Sequence, residues 1–325
     1  MGIYTNNTFA PAVKINQPIV PSGSLSITAG GRYDVYSYSS ITVSVQDLLD
    51  MRLTSTLNIG EYVDTSASMI SPGAFAFQRV SSVNMPNVTY VGKSAFASCT
   101  GLTSINLPAC ESLDTCAFYY CSDLPEINLP NCSIIGFSAF ANCSKLVSVS
   151  LPKCSSVGAG YTSTFAYCGK LRDVYLPSLT YAGGMMFYIC SSLASINLPV
   201  CTSISYNAFY SCSVMSTVSL PNCSIFGGGC FQYCYSLASV SLPACTSLST
   251  SVFNKCYNLL SVYLNVSAVP SLANVNAFAS TPISNYTTST GGVQGSIYVP
   301  TSLYSSFITA TNWATYSARI VSMTF

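Results

Sequence analysis

The sequence predicts an α/β solenoid: a right-handed coil of short parallel strands with helical or 3-10 return turns. Three observations predict it. Leu-Pro dipeptides end at Pro108, Pro130, Pro152, Pro177, Pro199, Pro221 and Pro243, in steps of 22, 22, 25, 22, 22 and 22 residues. A phenylalanine keeps the same beat at Phe75, Phe96, Phe118, Phe140, Phe165, Phe187, Phe209, Phe231 and Phe253, and from Phe96 onward a cysteine follows three residues later. Before each Leu-Pro, apolar residues alternate with Ser, Asn or Tyr, the period of a strand with one buried face. One such unit cannot bury its apolar side alone, so a fixed period of this length marks a stack of coils.

The elements follow in order. Residues 1–24 hold three prolines and no strong period, and read as an extended N-terminal arm. Residues 25–50 read as a small antiparallel β unit turning at Gly30-Gly31. Residues 51–278 are the solenoid. In Ser104-Ile105-Asn106-Leu107, Ile105 and Leu107 face the core and Ser104 and Asn106 face out. Pro108 ends that strand because it donates no ladder hydrogen bond. The A-F-x-x-C stretch is too short for a full helix and reads as a helical or 3-10 turn. Three extra residues near Gly158-Ala159-Gly160-Tyr161 read as a surface bulge, since the beat resumes unchanged. Residues 279–325 read as a cap. In it Ile297 and Val299 form a last strand, Thr301 N-caps a short helix carrying Leu303, Phe307 and Ile308, and Trp313, Tyr316 and Ile320 cover the open end of the core.

Composition excludes several functions. Half of the 325 residues are apolar, only 6% are charged, and the net charge is +1. Such a chain has no electrostatic footprint for nucleic acid. With no histidine there is no histidine general base and no histidine-ligated metal. No carboxylate side chain occurs after Asp173, and Lys255 and Arg319 are the only charged side chains from 174 to 325. The expectation is therefore no catalytic residues, no metal and no cofactor. No run of 18 apolar residues is present, so membrane insertion is not expected. The opening MGIYTNNTFAPAVK has no basic n-region or apolar run and does not read as a secretory signal.

Fourteen of the sixteen cysteines fall into two columns. Eight follow Phe (Cys99, Cys121, Cys143, Cys168, Cys190, Cys212, Cys234, Cys256) and six follow Leu-Pro (Cys110, Cys132, Cys154, Cys201, Cys223, Cys245). Small apolar thiols suit tightly packed turns, and no CxxC spacing suggests zinc. Reduced structural ladders are expected, with some disulfides between equivalent cysteines of neighbouring coils as the alternative. Glu111, Asp114, Asp123 and Glu126 lack a calcium-loop pattern and read as a solvated patch bridged to Lys145, Lys153, Lys170 and Arg172.

The unit L-x-S-(I/V)-x-L-P-x-C with A-F-x-x-C on the return resembles the BspA-type, or Treponema-type, leucine-rich repeat over about residues 75–278. Leu179 stands where the pattern has cysteine, and Asn265 where the last strand has proline. The resemblance implies a curved leucine-rich repeat solenoid with the L-x-S-I-x-L-P strand on its concave face. It also implies a non-enzymatic surface protein that binds host proteins, glycans or other cells. GGRYDVYSYSSITVSV (30–45) and residues 295–323 resemble terminal elements of phage tail and gut Firmicutes members, which implies a virion-surface setting as an alternative to a cell surface or other extracellular one.

Two outward columns remain. Strand positions facing away from the core supply the expected ligand-binding set Asn106, Glu126, Asn128, Asp173, Tyr175, Asn197 and Tyr263. Amide, hydroxyl and aromatic groups together combine rigid contact area with adaptable hydrogen bonding. Tyr119, Tyr120, Tyr167, Tyr188, Tyr210 and Tyr233 form a second column between Phe and Cys. The expected function is recognition or adhesion toward a host or cell-surface glycan or protein. Structural self-association through the N-terminal arm and neutral surface is the alternative.

Overall fold

The computed structural model describes residues 13–16, 24–26, 40–43, 58–158, 162–286 and 288–325. The chain winds into a solenoid of parallel strands. Twelve strands stack along one wall: Asn58–Val63, Arg79–Asn84, eight three-residue strands from Ser104–Asn106 to Ser261–Tyr263, then Ser296–Pro300 and Ile320–Met323. The register is in phase from coil to coil, with Ile127 beside Val149 and Val149 beside Val174. After each Leu-Pro or its equivalent, a two-residue strand such as Ser112–Leu113 or Ile134–Ile135 builds a second parallel wall.

The third wall is the return. It is built from tandem hydrogen-bonded turns rather than helix. The accounting of its N–H groups alternates. Ser94, Phe96 and Ser98 donate to Thr115, Ala117 and Tyr119 of the next coil, while Ala95, Ala97 and Cys99 close turns onto Gly92, Ser94 and Phe96. Alternate N–H groups must therefore point along the solenoid axis, which a helix forbids. Positive φ at Ser94 (55°) and Ser98 (60°), and at the equivalent positions of later coils, turns them that way. This conformation costs an L-residue about 1–2 kcal/mol. A 3-10 return occurs at Val275–Phe278, where the stack ends. The donation from the Phe N–H to the next coil continues from Phe75 to Phe253 without a break, at 2.7 to 2.9 Å. The strand wall is less continuous. Its ladder is interrupted between Ser104–Asn106 and Glu126–Asn128, between Asp173–Tyr175 and Ser195–Asn197, and between Thr217–Ser219 and Ser239–Ser241.

Inside the three walls the phenylalanines form one column. Successive rings from Phe75 to Phe253 stack at 4.9 to 5.6 Å with interplanar angles of 2 to 12°. Phe278 continues the stack at 5.6 Å. The coil spacing sets this ring spacing, within the range where offset aromatic pairs attract. Both ends are closed edge-on. Tyr62 meets Phe75 at 4.8 Å and 69°, and Tyr316 meets Phe278 at 5.3 Å and 85°. Trp313 is buried beside Phe278, and its Nε1 donates to the Pro270 carbonyl at 2.7 Å.

The ends differ from the sequence reading in two respects. Ser24–Ser26 and Ser40–Val43 pair parallel, not antiparallel. The residues 27–39 between them are long enough for a crossover, which parallel pairing needs. The antiparallel partner of Ser40–Val43 is Val13–Asn16, within the stretch read as an arm. The Gly30-Gly31 turn and the bulge residues 159–161 lie outside the described residues. Thr301 does not cap the C-terminal helix. A 3-10 turn over Thr301–Leu303 runs into the helix Tyr304–Thr309, whose N-cap position is Leu303, with no side-chain cap bond. The fixed φ of Pro300, at −55°, starts that turn one residue before Thr301.

Candidate binding surface

The strand wall presents every second residue outward. Glu126, Ser148 and Asp173 lie side by side in register, as do Asn128, Ser150 and Tyr175. Asn197 pairs with Ser219 in the next block. Asn106, Glu126, Asn128, Asp173, Tyr175 and Asn197 are exposed, with Tyr175 at 58%. The structure gathers three of the seven expected residues, Asp173, Tyr175 and Asn197, into one groove of about 690 Å³. Ser150, Arg172 and Thr217 also line it. The groove straddles the ladder interruption between Tyr175 and Asn197.

The other four expected residues lie outside this groove. Asn106 is tied to its own wall, its Nδ2 donating to Asn84 Oδ1 at 2.8 Å. Glu126 and Asn128 sit on the coil before the groove. Tyr263 is half-buried and stacks on Tyr298 at 4.8 Å and 12°. Sequence reasoning missed Arg172 as a groove residue because it read that side chain as a salt-bridge partner of the acidic patch. Among the described residues the only ion pair is Lys145 with Asp123, at 2.9 Å.

All sixteen cysteines are free, and all but Cys116 are buried. In the first column each thiol donates to the Phe carbonyl one coil earlier, from Cys99 to Phe75 through Cys256 to Phe231. Burial pushes the Cys99, Cys154, Cys168 and Cys245 thiols up to about 12. Among the described residues no three metal-ligating side chains gather, and no helix is long and apolar enough to cross a membrane.

The second tyrosine column forms a ridge on the return wall. Tyr167 meets Tyr188 edge-on at 5.5 Å, Tyr188 stacks on Tyr210 at 4.9 Å, and Tyr210 meets Tyr233 edge-on at 4.9 Å. Tyr235, Tyr257 and Tyr286 continue it, with contacts of 6.0, 5.2 and 4.9 Å. Lys255 Nζ donates to the Tyr233 hydroxyl at 3.0 Å, which holds that phenol below its usual pKa. Sequence reasoning found the ridge only as far as Tyr233, because Tyr235 and Tyr257 stand one residue after the cysteine, not between Phe and Cys.

A family model described as a BspA type leucine rich repeat region (6 copies) matches residues 68–180 and 161–284. Among solved structures, the chain is similar to a T. pallidum leucine-rich repeat protein at 25% identity over 55% of this chain and 78% of that one, with a TM-score of 0.41. A leucine-rich repeat protein from Bacteroides ovatus is 18% identical over 98% and 100% of the two chains, with a TM-score of 0.36. A leucine rich cell surface protein from Faecalibacterium prausnitzii is 17% identical over 99% and 98%, with a TM-score of 0.34. No curated protein matches the chain.

Proposed function

The chain belongs to the BspA-type leucine-rich repeat family, whose model matches it in two overlapping stretches across residues 68–284, and from that premise we propose that it is a non-enzymatic recognition module. Its ligand is a glycan or protein on a host or cell surface, held on the strand wall. The groove lined by Asp173, Tyr175 and Asn197 is the observation that carries this reading. It offers a flat aromatic ring, an amide, hydroxyls and one charge of each sign within a few coils, a set suited to an extended polar chain lying across the strands. The resemblance of the termini to phage tail proteins makes a virion surface the alternative setting to a cell surface. Self-assembly through the arm has less support, because residues 13–16 pair with residues 40–43 of the same chain.

Binding of the purified chain to arrays of glycans and of surface proteins tests the reading. The expected result is a ligand whose signal is lost in a Tyr175→Ala/Asn197→Ala variant. A ligand bound equally well by that variant would remove the groove as the site.

A further inference from the structure

We propose that the tyrosine ridge on the return wall is a second binding site, separate from the strand-wall groove, and that it takes a carbohydrate chain lying along the solenoid axis. Three independent features point there. The first is backbone cost. Two ridge residues, Tyr167 and Tyr233, occupy positive-φ positions, at 63 and 64°; Tyr120 does too, at 60°, but lies off the ridge beside Tyr119. Equivalent positions of other coils hold Ser98, Asn142, Ile189, Ser211 and Lys255. Asn tolerates this conformation better than a bulky ring does. Tyrosine there sacrifices local stability while its ring stays partly in solvent, with Tyr167 48% exposed and Tyr233 half-buried. Strain kept at rings that contribute nothing to the core points to a role outside packing.

The second feature is continuity. The rings follow one another with contacts of 4.9 to 6.0 Å, some stacked and some edge-on. Such a track matches a ligand that also repeats along its length. The third is chemistry. No carboxylate side chain lies beyond Asp173 in the sequence, and Lys255 is the one cation on the ridge. A charged polymer has little to hold. The column that becomes Tyr235 and Tyr257 reads Ser191 and Ser213 in the preceding coils, so hydroxyls flank the ridge beside the aliphatic Ile189 and Val214. Sugars present C–H faces to rings and hydroxyls to phenols and serines, and this surface answers both. The desolvated apolar pockets that anchor protein partners have no counterpart in this set of neighbours.

Native gel electrophoresis of the full chain through hydroxyethyl cellulose, xylan, mannan or soluble starch tests the proposal. Retardation is expected in at least one gel. Tyr167→Asn/Tyr233→Asn should weaken it by about tenfold or more while leaving Tm unchanged or raised, because Asn suits the backbone there. Tyr235→Ser, which installs the residue of the preceding coils, should weaken it without unfolding. Tyr175→Ala/Asn197→Ala, run in the same gels, reports the groove: retardation lost in the ridge variants beyond any loss in this one assigns the binding to the ridge, and loss confined to this one overturns the proposal. No retardation in any of the four gels overturns the proposal. So does undiminished retardation of the ridge variants, or a lowered Tm with retardation kept, which would make the ridge packing alone. Ridge-dependent binding to a protein ligand without retardation overturns the carbohydrate assignment.

Discussion

The Cys121 Sγ donates to the carbonyl oxygen of Phe96, one coil earlier, at 3.1 Å. The ring of Phe118, three residues before Cys121, stacks on the Phe96 ring at 4.9 Å. The phenylalanine and cysteine columns are thus one device. The ring stack fills the core, and the thiol supplies a second donor to a carbonyl that already accepts from the Cys99 N–H. A small side chain with a weak donor and little desolvation penalty fits that place.

Cys121→Ala should therefore destabilise the solenoid by about 1–3 kcal/mol, combining a small cavity with a lost hydrogen bond. Urea denaturation measures it. A change within about 0.5 kcal/mol, as at an ordinary surface site, would mean that the thiol contact has no energetic role.

Phe140→Ala removes a fully buried ring stacked on both sides, at 5.3 and 5.5 Å. The expected loss is about 3–5 kcal/mol. Phe75→Ala, at the first coil of the stack and 6% exposed, should cost less. Chemical denaturation of the two variants side by side checks the order.

Thiol labelling of the native chain should modify Cys116 first, since it alone among the sixteen is not buried. The other fifteen should react only on addition of denaturant. Rapid native labelling of most thiols would contradict the buried ladders.

The same thiols make the fold sensitive to alkali. Burial raises Cys99, Cys154, Cys168 and Cys245 from 9.0 to about 12 in the folded chain. Below pH 9 both states hold the proton and these groups have no effect on stability. Between about pH 9 and 12 the unfolded chain binds fewer protons, so stability falls as pH rises, by about 1.4 kcal/mol per unit for each thiol. Melting temperatures should be flat up to about pH 8.5 and drop steeply above it. Replacing Cys168 by Ala should make the drop shallower.

In the groove, Tyr175→Ala/Asn197→Ala should weaken ligand binding by about 1–3 kcal/mol. Both side chains point away from the core, so stability should change by less than about 1 kcal/mol. Isothermal titration with the array-identified ligand, beside a thermal melt, checks both.

The solenoid and its core were legible because their signals repeat. The Phe beat, the two cysteine columns and the alternating strand residues each state the same geometry many times over. The return wall was not legible as turns. One column of its positive-φ positions holds Ser98, Tyr120, Asn142, Tyr167 and Ile189 in successive coils with no glycine, and the other, at Ser94 and its equivalents, has glycine only at Gly73 and Gly229. Inter-coil hydrogen bonds, invisible in any single unit, decide that conformation. The N-terminal strands likewise pair in directions, Ser24–Ser26 parallel and Val13–Asn16 antiparallel to Ser40–Val43, that no single turn motif announced. Of the candidate site, the outward strand residues followed from alternation. The joining of Asp173, Tyr175 and Asn197 in one groove depends on an interruption between coils, which the strict period does not announce.

Those interruptions give the rod unequal mechanical compliance. Its return wall is bonded coil to coil throughout, while its strand wall is divided into blocks of three, three, two and four strands. Bending concentrates where fewest bonds must stretch, so the seams act as hinges and the return wall as their common spine. One seam runs through the groove between Tyr175 and Asn197. Tension applied along the rod is therefore expected to act first on the width of the groove proposed as the binding site.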